Sequence, residues 1–252
     1  FIEMLSKMKK IYRKHFIDKH SHRDVDSGEK FVYFPLGLEP ERTILIPAPF
    51  YSNQLEVIKN VAKSLPVDYV LYVKEHPMQK VWGWRSASYY KEILKLPNVR
   101  LVNTSVPNGK LVQNCSLVVS VLGTPALEAA FREKPSIVFG DVLFDSLPSV
   151  LRVQNLEELP KLIKTGLNTK VNLSDVNKFV NMIEKNSFEY DDNDFILRIK
   201  DRFFYSGYLY DVNIPISEMV IFLEENKKIY NLLGEQHLKK IHQSKNQKLK
   251  NS

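Results

Sequence analysis

Short apolar segments alternate with segments of helical periodicity along most of the chain, and this alternation restricts the fold more than any other feature of the sequence. The apolar segments are rich in β-branched, aromatic and aliphatic residues, which is typical of strands buried on both faces of a parallel sheet. They read KFVYFPL, DYVLYV, NVRLV, SLVVSVL and PSIVFG. Because short connections join them to the intervening helices, the sequence predicts an α/β fold: a Rossmann-like parallel sheet with helices on both faces, followed by C-terminal helices.

Four segments of the chain differ in pattern and define the predicted domains. We expect an N-terminal helix and linker over 1–28, a Rossmann-like domain over 29–167, a helical C-terminal extension over 168–236 and a basic tail over 237–252. Because the chain begins with Phe1 rather than Met, we also expect it to be a piece of a longer protein.

Three local predictions follow from capping residues and apolar spacing. Ser52 is the expected N-cap of the first helix after the first strand, and Asn155 that of the helix after a short edge strand. Residues 215–233 show one apolar face at helical spacing and are expected to form a single helix.

The net charge of +7 is concentrated at the two ends of the chain. Residues 1–30 carry a net charge of +3 and residues 237–252 one of +5, which leaves about −1 for residues 31–236. A body without excess positive charge argues against a nucleic-acid partner. The basic ends leave two alternatives open: contact with an anionic membrane surface or a polysaccharide assembly complex, and a solvated, frayed tail.

Cys115 is the only cysteine of the chain, which excludes an internal disulfide and fits a reducing cytoplasm. Its position ahead of an apolar strand indicates a small core residue. No apolar run approaches the roughly 20 residues of a membrane-spanning helix, and residues 1–24 are too highly charged for a signal peptide. We therefore expect a cytoplasmic protein, either free or peripheral at the inner face of the plasma membrane.

Polar residues follow the second apolar segment at the point where the strand should end. In an open parallel sheet, ligands bind beyond the carboxyl ends of the strands. The segment ends in Lys74, Glu75 and His76, and an imidazole at that place could hold a phosphate oxygen. Glu75 could orient His76 or neutralise Lys74. The alternative is that His76, which precedes Pro77, is only a turn residue.

The stretch GTPALE follows the fourth apolar segment and should lie on the same rim. Pro125 suits the first turn of a helix, which makes Thr124 the expected N-cap. Gly123 allows close approach of the backbone to a ligand, and a helix N-terminus favours an anion such as phosphate. Glu128 lies one position too late for a capping box and could face a sugar hydroxyl. The alternative is that Thr124 only caps the helix and Glu128 is solvated.

Two further motifs are better explained by structure than by chemistry. The acidic run at 191–194 opens a predicted helix, so capping is a better explanation than a metal site, and we expect no metal. Trp82 and Trp84 could form a flexible lid together with Arg85, or simply cover the edge of the sheet.

Several consecutive blocks of the sequence resemble capsule polysaccharide biosynthesis proteins. The blocks lie within residues 30–153 and read FVYFPLGLEPERTI, FYSNQLEVIKNVAKSLPVDYVLYVKEHP, LPNVRLV and SLVVSVLGTPALEAAFREKPSIVFG. The resemblance is to the C-terminal half of these enzymes, which include Kdo transferases that use a CMP-activated sugar. It implies a metal-independent glycosyltransferase of the GT-B type, whose C-terminal Rossmann-like domain holds the nucleotide-sugar donor.

The resemblance also implies roles for individual residues. His76 and Pro77 match the HP motif of the family, which contacts the donor phosphate. Ser120, together with Gly123 and Thr124, resembles a Ser/Thr-rich loop that meets the same phosphate.

The family pattern extends to four more positions, two of which depart from it. Glu128 resembles the acid near the ribose. Glu39 and Pro40 stand where the family usually has Gln-Pro, and Gly37 stands where many members carry a histidine. These departures concern sugar or acceptor preference rather than the phosphate site.

By this resemblance, His76 and Glu75 are the expected catalytic residues, and a CMP-sugar and a glycan or glycolipid acceptor are the expected ligands, with no cofactor. The acceptor side, and often the base, come from an N-terminal domain in such enzymes, so this chain by itself would bind donor. Two alternatives remain open: another sugar-nucleotide enzyme, such as an epimerase or a polyol-phosphate transferase, and a non-catalytic nucleotide-binding module of a polysaccharide assembly complex.

Overall fold

A six-stranded parallel sheet forms the centre of the fold. The computed structural model describes residues 2–25, 28–39, 42–81, 83–204 and 213–250. The strands of this part of the chain are β1 Phe31–Pro35, β2 Val70–Lys74, β3 Val99–Val102, β4 Leu117–Ser120, β5 Ser136–Val138 and β6 Val150–Arg152. They lie in the order β3-β2-β1-β4-β5-β6, and every neighbouring pair is parallel. The strand order reverses between β1 and β4, which is the switch point where ligands of such sheets bind.

Helices surround the sheet and continue beyond it. Their bounds are α1 Ile2–His20, α2 Arg42–Leu45, α3 Gln54–Ser64, α4 Ala87–Leu94, α5 Asn108–Asn114, α6 Pro125–Phe131, α7 Leu159–Asn168, α8 Leu173–Asn186, α9 Asp192–Phe203, α10 Ile216–Glu225 and α11 Lys227–Lys250. Short 3-10 turns cover Pro49–Tyr51, Pro77–Lys80 and Leu156–Glu158.

Both faces of the sheet are covered, as the uninterrupted apolar character of the strands predicts. Because successive side chains point to opposite faces, Val32 packs in the larger core with α1, α3, α4 and α7, while Tyr33 packs in a smaller core with α5 and α6. Cys115 lies in the smaller core, where burial raises the pKa of its thiol to about 12. The predicted Rossmann-like fold with helices on both faces and C-terminal helices is confirmed.

The N-terminal helix α1 is part of the core rather than an appendage. Phe16 and Ile17 on its last turns are 8% and 1% exposed. Beyond the helix, the backbone N–H of His22 donates to Leu101 O at 2.8 Å, and His22 forms an isolated parallel bridge with Val102.

Two of the local predictions need correction. Asn53, and not Ser52, caps α3: its side chain accepts from the Glu56 N–H, while the Ser52 hydroxyl donates to Pro49 O at 2.9 Å. The expected single helix over 215–233 is interrupted at Asn226, which ends α10 and whose side chain donates to Phe222 O at 2.9 Å.

Two other local predictions hold. The Asn155 side chain accepts from the Glu157 N–H at 3.0 Å and opens the 3-10 turn after β6. Asp191 caps α9 through the Asp194 N–H at 3.0 Å, which agrees with the capping explanation of the acidic run. The basic tail is helical as far as Lys250.

The chain divides into two compact units, Phe1–Met182 and Ile183–Ser252. The sheet and its flanking helices lie in the first unit. In the second, aromatic rings of α9 pack against those of α10 and α11: Phe195 lies 6.1 Å from Phe222 and 5.6 Å from Tyr230, between ring centroids. The predicted boundaries after residues 28, 167 and 236 stay predictions. None of the described helices combines the length and apolar character needed to span a bilayer.

Candidate functional site

A cavity of about 450 Å³ opens at the carboxyl ends of β1, β2 and β4, at the switch point of the sheet. Eight of the ten residues that the sequence analysis selected line it: Lys74, Glu75, His76, Pro77, Ser120, Gly123, Thr124 and Glu128. The loops after β2 and β4 thus meet in one place, although their site residues are more than 40 positions apart in the sequence. The two others, Glu39 and Pro40, are treated separately below.

His76 is held in a defined orientation at the mouth of this cavity. His76 has an extended backbone two residues beyond the end of β2, and Pro77 opens the following 3-10 turn. The ring Nδ1 accepts the backbone N–H of Met78 at 3.2 Å. A neutral imidazole that accepts at Nδ1 carries its proton on Nε2. His76 therefore offers an N–H donor at Nε2, the type of group that binds an anionic oxygen.

Lys74 lies at the floor of the cavity and is only 3% exposed. Its Nζ donates to Asn108 Oδ1 at 2.5 Å, and the same oxygen accepts the hydroxyl of Tyr33 at 3.2 Å. Burial lowers the pKa of the Lys74 ammonium and raises that of the Tyr33 hydroxyl. A buried ammonium whose protein partner is a neutral amide is well suited to an anionic ligand.

Glu75 contacts Arg85 and His76 rather than Lys74. The carboxylate is 1% exposed, both of its oxygens accept from the single nitrogen Nη1 of Arg85 at 2.5 Å, and Oε2 also accepts the Tyr90 hydroxyl at 2.6 Å. It also accepts the backbone N–H of His76 at 2.6 Å. Glu75 therefore pairs with Arg85 instead of neutralising Lys74, and it contacts the backbone of His76 rather than its ring.

The loop after β4 supplies the opposite wall, with two departures from the expected pattern. Thr124 occupies the N-cap position of α6, but its side chain makes no capping hydrogen bond, and this exposed residue lines the cavity. Ser120 is 1% exposed and donates its hydroxyl to Leu122 O at 2.5 Å, which leaves it no proton for a ligand. Gly123 has φ +117°, a conformation that disfavours any side chain. Glu128 is half-buried and lines the cavity.

Glu39 does not line this cavity. Its carboxylate accepts from the Gln54 side-chain amide and from Arg85 Nε, the latter at 3.3 Å, and it lines a separate open cavity with Gln79. Pro40 lies outside the described residues. At Gly37, an added Cβ would collide with the end of the Ile44 side chain.

Of the two alternatives for this tryptophan segment, the flexible lid does not fit the residues that the structure describes. Trp84 and Arg85 are 9% and 7% exposed and belong to the packed interior, while Trp82 lies outside the described residues. Asn108 and Tyr33 are the site groups that the sequence analysis missed, and Arg85 was considered only as part of a lid. These residues share only hydrogen bonds to partners far away in the sequence, and the periodicity of the sequence does not indicate such pairs. Among the residues that the structure describes, no three His, Cys, Asp or Glu side chains gather as a metal site.

An open parallel sheet with a cavity at its switch point, where a few polar side chains project from a largely apolar lining, defines an α/β protein of the doubly wound class. The chain belongs to the capsule polysaccharide biosynthesis protein family, whose family model matches residues 3–187. The resemblance of the sequence blocks to this family is thereby confirmed.

Known relatives and structures are distant. Protein FixF of Sinorhizobium fredii (strain NBRC 101917 / NGR234) is 25% identical over 146 residues, which cover 56% of this chain and 34% of FixF. The chain thus spans about a third of this curated relative. The KpsC β-Kdo 2,7 transferase of Thermosulfurimonas dismutans is 16% identical, with a TM-score of 0.42 over 65% of this chain and 53% of KpsC. The UDP-GlcNAc 2-epimerase of Methanocaldococcus jannaschii is 14% identical, with a TM-score of 0.43 over 64% and 43%.

Proposed function

We propose that the cavity at the ends of β1, β2 and β4 binds the nucleotide of an activated sugar and that the protein acts in glycosyl transfer for surface polysaccharide synthesis. The observation that carries the proposal is the convergence of three donors of different chemistry on one cavity. These are the Lys74 ammonium, the His76 Nε2–H and the Thr124 hydroxyl. Such donors fit a phosphate better than a neutral ligand.

In glycosyl transfer, the bond between the anomeric carbon and the phosphate oxygen breaks, and its electron pair stays on the leaving phosphate. Donors fixed before the reaction stabilise that developing charge without reorganisation. His76 and Lys74 would do so here without a metal ion. The seven-residue helix α6 adds little through its dipole, because Pro125 removes one N–H from its first turn.

The donor proposed first is a CMP-activated sugar, the class used by the Kdo transferases of the family. The proton of the acceptor hydroxyl must pass to a base, which we assign to the acceptor side of the whole protein. The proposed acceptor is a glycan or a glycolipid.

Calorimetric titration of CMP, CDP, UDP and cytidine tests the site and the donor together. We expect CMP to bind more tightly than UDP, and His76→Ala to weaken CMP about tenfold or more while leaving cytidine unchanged. His237→Ala is the matched control, since His237 lies on α11 in the second unit, and should change neither affinity. A preference for UDP would contradict the CMP assignment, and equal losses for CMP and cytidine would contradict the phosphate role of His76.

A further inference from the structure

The loops after β1 and β2 are joined by a buried polar cluster centred on Arg85. The guanidinium donates to Glu75 through Nη1, to Gly37 O at 2.6 Å through Nη2, and to Glu39 at 3.3 Å through Nε. One planar side chain thereby fixes the backbone of one rim loop and the carboxylate of the other. A lysine in its place would have a single point of attachment.

The chain adopts an uncommon backbone conformation to place Arg85 there. Gly83 and Trp84 immediately before it have φ +97° and +63°, and the second value is rare for a bulky residue. Arg13 of α1 holds this turn by donating to Gly83 O at 3.1 Å and to Trp84 O at 3.0 Å. A strained turn supported by a second arginine indicates that the position of Arg85 itself matters.

The cluster ends at His76. Glu75 accepts from Arg85 Nη1 and from the Tyr90 hydroxyl, and its Oε1 also accepts the backbone N–H of His76. Burial alone would lower the pKa of Arg85, but the charge of Glu75 raises it above its ordinary range, so the guanidinium stays charged. His76 is then held at two points: Glu75 accepts its backbone N–H, and the Met78 N–H donates to its ring Nδ1.

We propose that Arg85, acting through Glu75, is the positioning residue that holds His76 as the Nε2–H tautomer facing the cavity. Arg85 does not contact the ligand itself in this proposal, because it does not line the cavity that contains His76. The inference rests on the proposed function in one respect: the tautomer matters for catalysis only if His76 binds the phosphate.

Removing Arg85 leaves a buried carboxylate without its counter-charge next to His76. Because an unpaired buried charge is unfavourable, we expect Glu75 to turn toward the nearest donors in the cavity. The backbone N–H of His76 then loses its fixed acceptor. The consequence is a ring free to rotate and to exchange between its two tautomers.

Long-range ¹H–¹⁵N spectra of the imidazoles test this without any ligand, so failure of the inference is distinct from failure of the proposed function. The His76 signals are assigned with His76→Ala. We expect the Nε2–H tautomer in the unchanged protein and a mixture of tautomers in Arg85→Gln. Arg100→Gln is the matched control, because Arg100 pairs with Glu29 on the far side of β2 from this cluster, and it should keep the Nε2–H tautomer. An unchanged tautomer in a folded Arg85→Gln overturns the inference.

Two further variants keep the test decisive if Arg85→Gln does not fold. Tyr90→Phe removes one donor to Glu75 and keeps the ion pair, and it should shift the tautomer ratio in the same direction but less. Arg85→Lys keeps the charge without the guanidinium and should not restore the single tautomer. A full rescue by lysine would show that only charge is needed and would overturn the positioning role.

Affinity then links the cluster to the proposed ligand. Arg85→Gln should weaken CMP at least fivefold in the unchanged background and by less than twofold in His76→Ala, since both changes remove the same interaction. Equal effects of Arg85→Gln in the two backgrounds would overturn action through His76.

Discussion

At the scale of single residues, the site is defined by polar groups that the protein buries without neutralising. Lys74 is the clearest case: its ammonium is 3% exposed, and the partner it contacts is the neutral amide of Asn108. A buried charge of this kind costs stability, so its presence at a strand end is best explained by a ligand.

Lys74→Met should therefore separate stability from binding. We expect the free energy of unfolding to stay unchanged or to rise by up to about 1 kcal/mol, since Asn108 keeps the hydroxyl donor of Tyr33. The affinity for CMP should fall about tenfold. Urea denaturation and calorimetry measure the two quantities. Lys30→Met is the control, because Lys30 forms an exposed pair with Asp68 and should affect neither.

The pH dependence of the free energy of unfolding provides a second test of the buried Lys74 ammonium. Burial lowers the pKa of Lys74 in the folded protein below its ordinary value of 10.5, so the unfolded chain binds more protons between the two values. Stability should consequently rise with pH across that window in the unchanged protein, relative to Lys74→Met. A difference in the free energy of unfolding between the two proteins that stays constant over the window would show that the pKa of Lys74 is not lowered.

At the scale of elements, the sequence correctly predicted those features that depend on the composition of single segments and on the order of the strands. The alternation of strands and helices was correct because each strand carries its own apolar composition. The meeting of the β2 and β4 ends followed from parallel strand order alone. The Arg85 cluster could not be predicted, since Arg85 contacts Glu75, Glu39 and Gly37 at separations of 10, 46 and 48 residues. The break at Asn226 was missed because the apolar face continues across it.

The sequence analysis did not predict that α1 contributes to the core. Ile17→Ala removes a side chain that is 1% exposed and should lower the free energy of unfolding by about 2–4 kcal/mol. Ile11→Ala, on the same helix but 69% exposed, should change it by less than about 0.5 kcal/mol. Thermal or urea unfolding compares the two. Similar small losses for both would mean that α1 is not part of the core.

At the scale of the whole molecule, the family match and the fold coincide. The family model covers residues 3–187, and the compact unit that holds the sheet and cavity is Phe1–Met182. Helices α9 to α11 of the second unit lie outside the matched range, and none of their described residues lines the cavity. The account therefore assigns ligand binding to the first unit.

Chemical-shift mapping with CMP on the ¹⁵N-labelled protein tests this central claim most directly. The account predicts that the amide signals which shift, with saturation, belong to residues 74–78 and 120–128, at the carboxyl ends of β2 and β4. The second unit carries a smaller cavity of about 140 Å³ lined by residues 185–188 and by part of α11, and its signals should stay unchanged. Shifts confined to that second cavity, or no saturable shifts at millimolar CMP, would contradict the account.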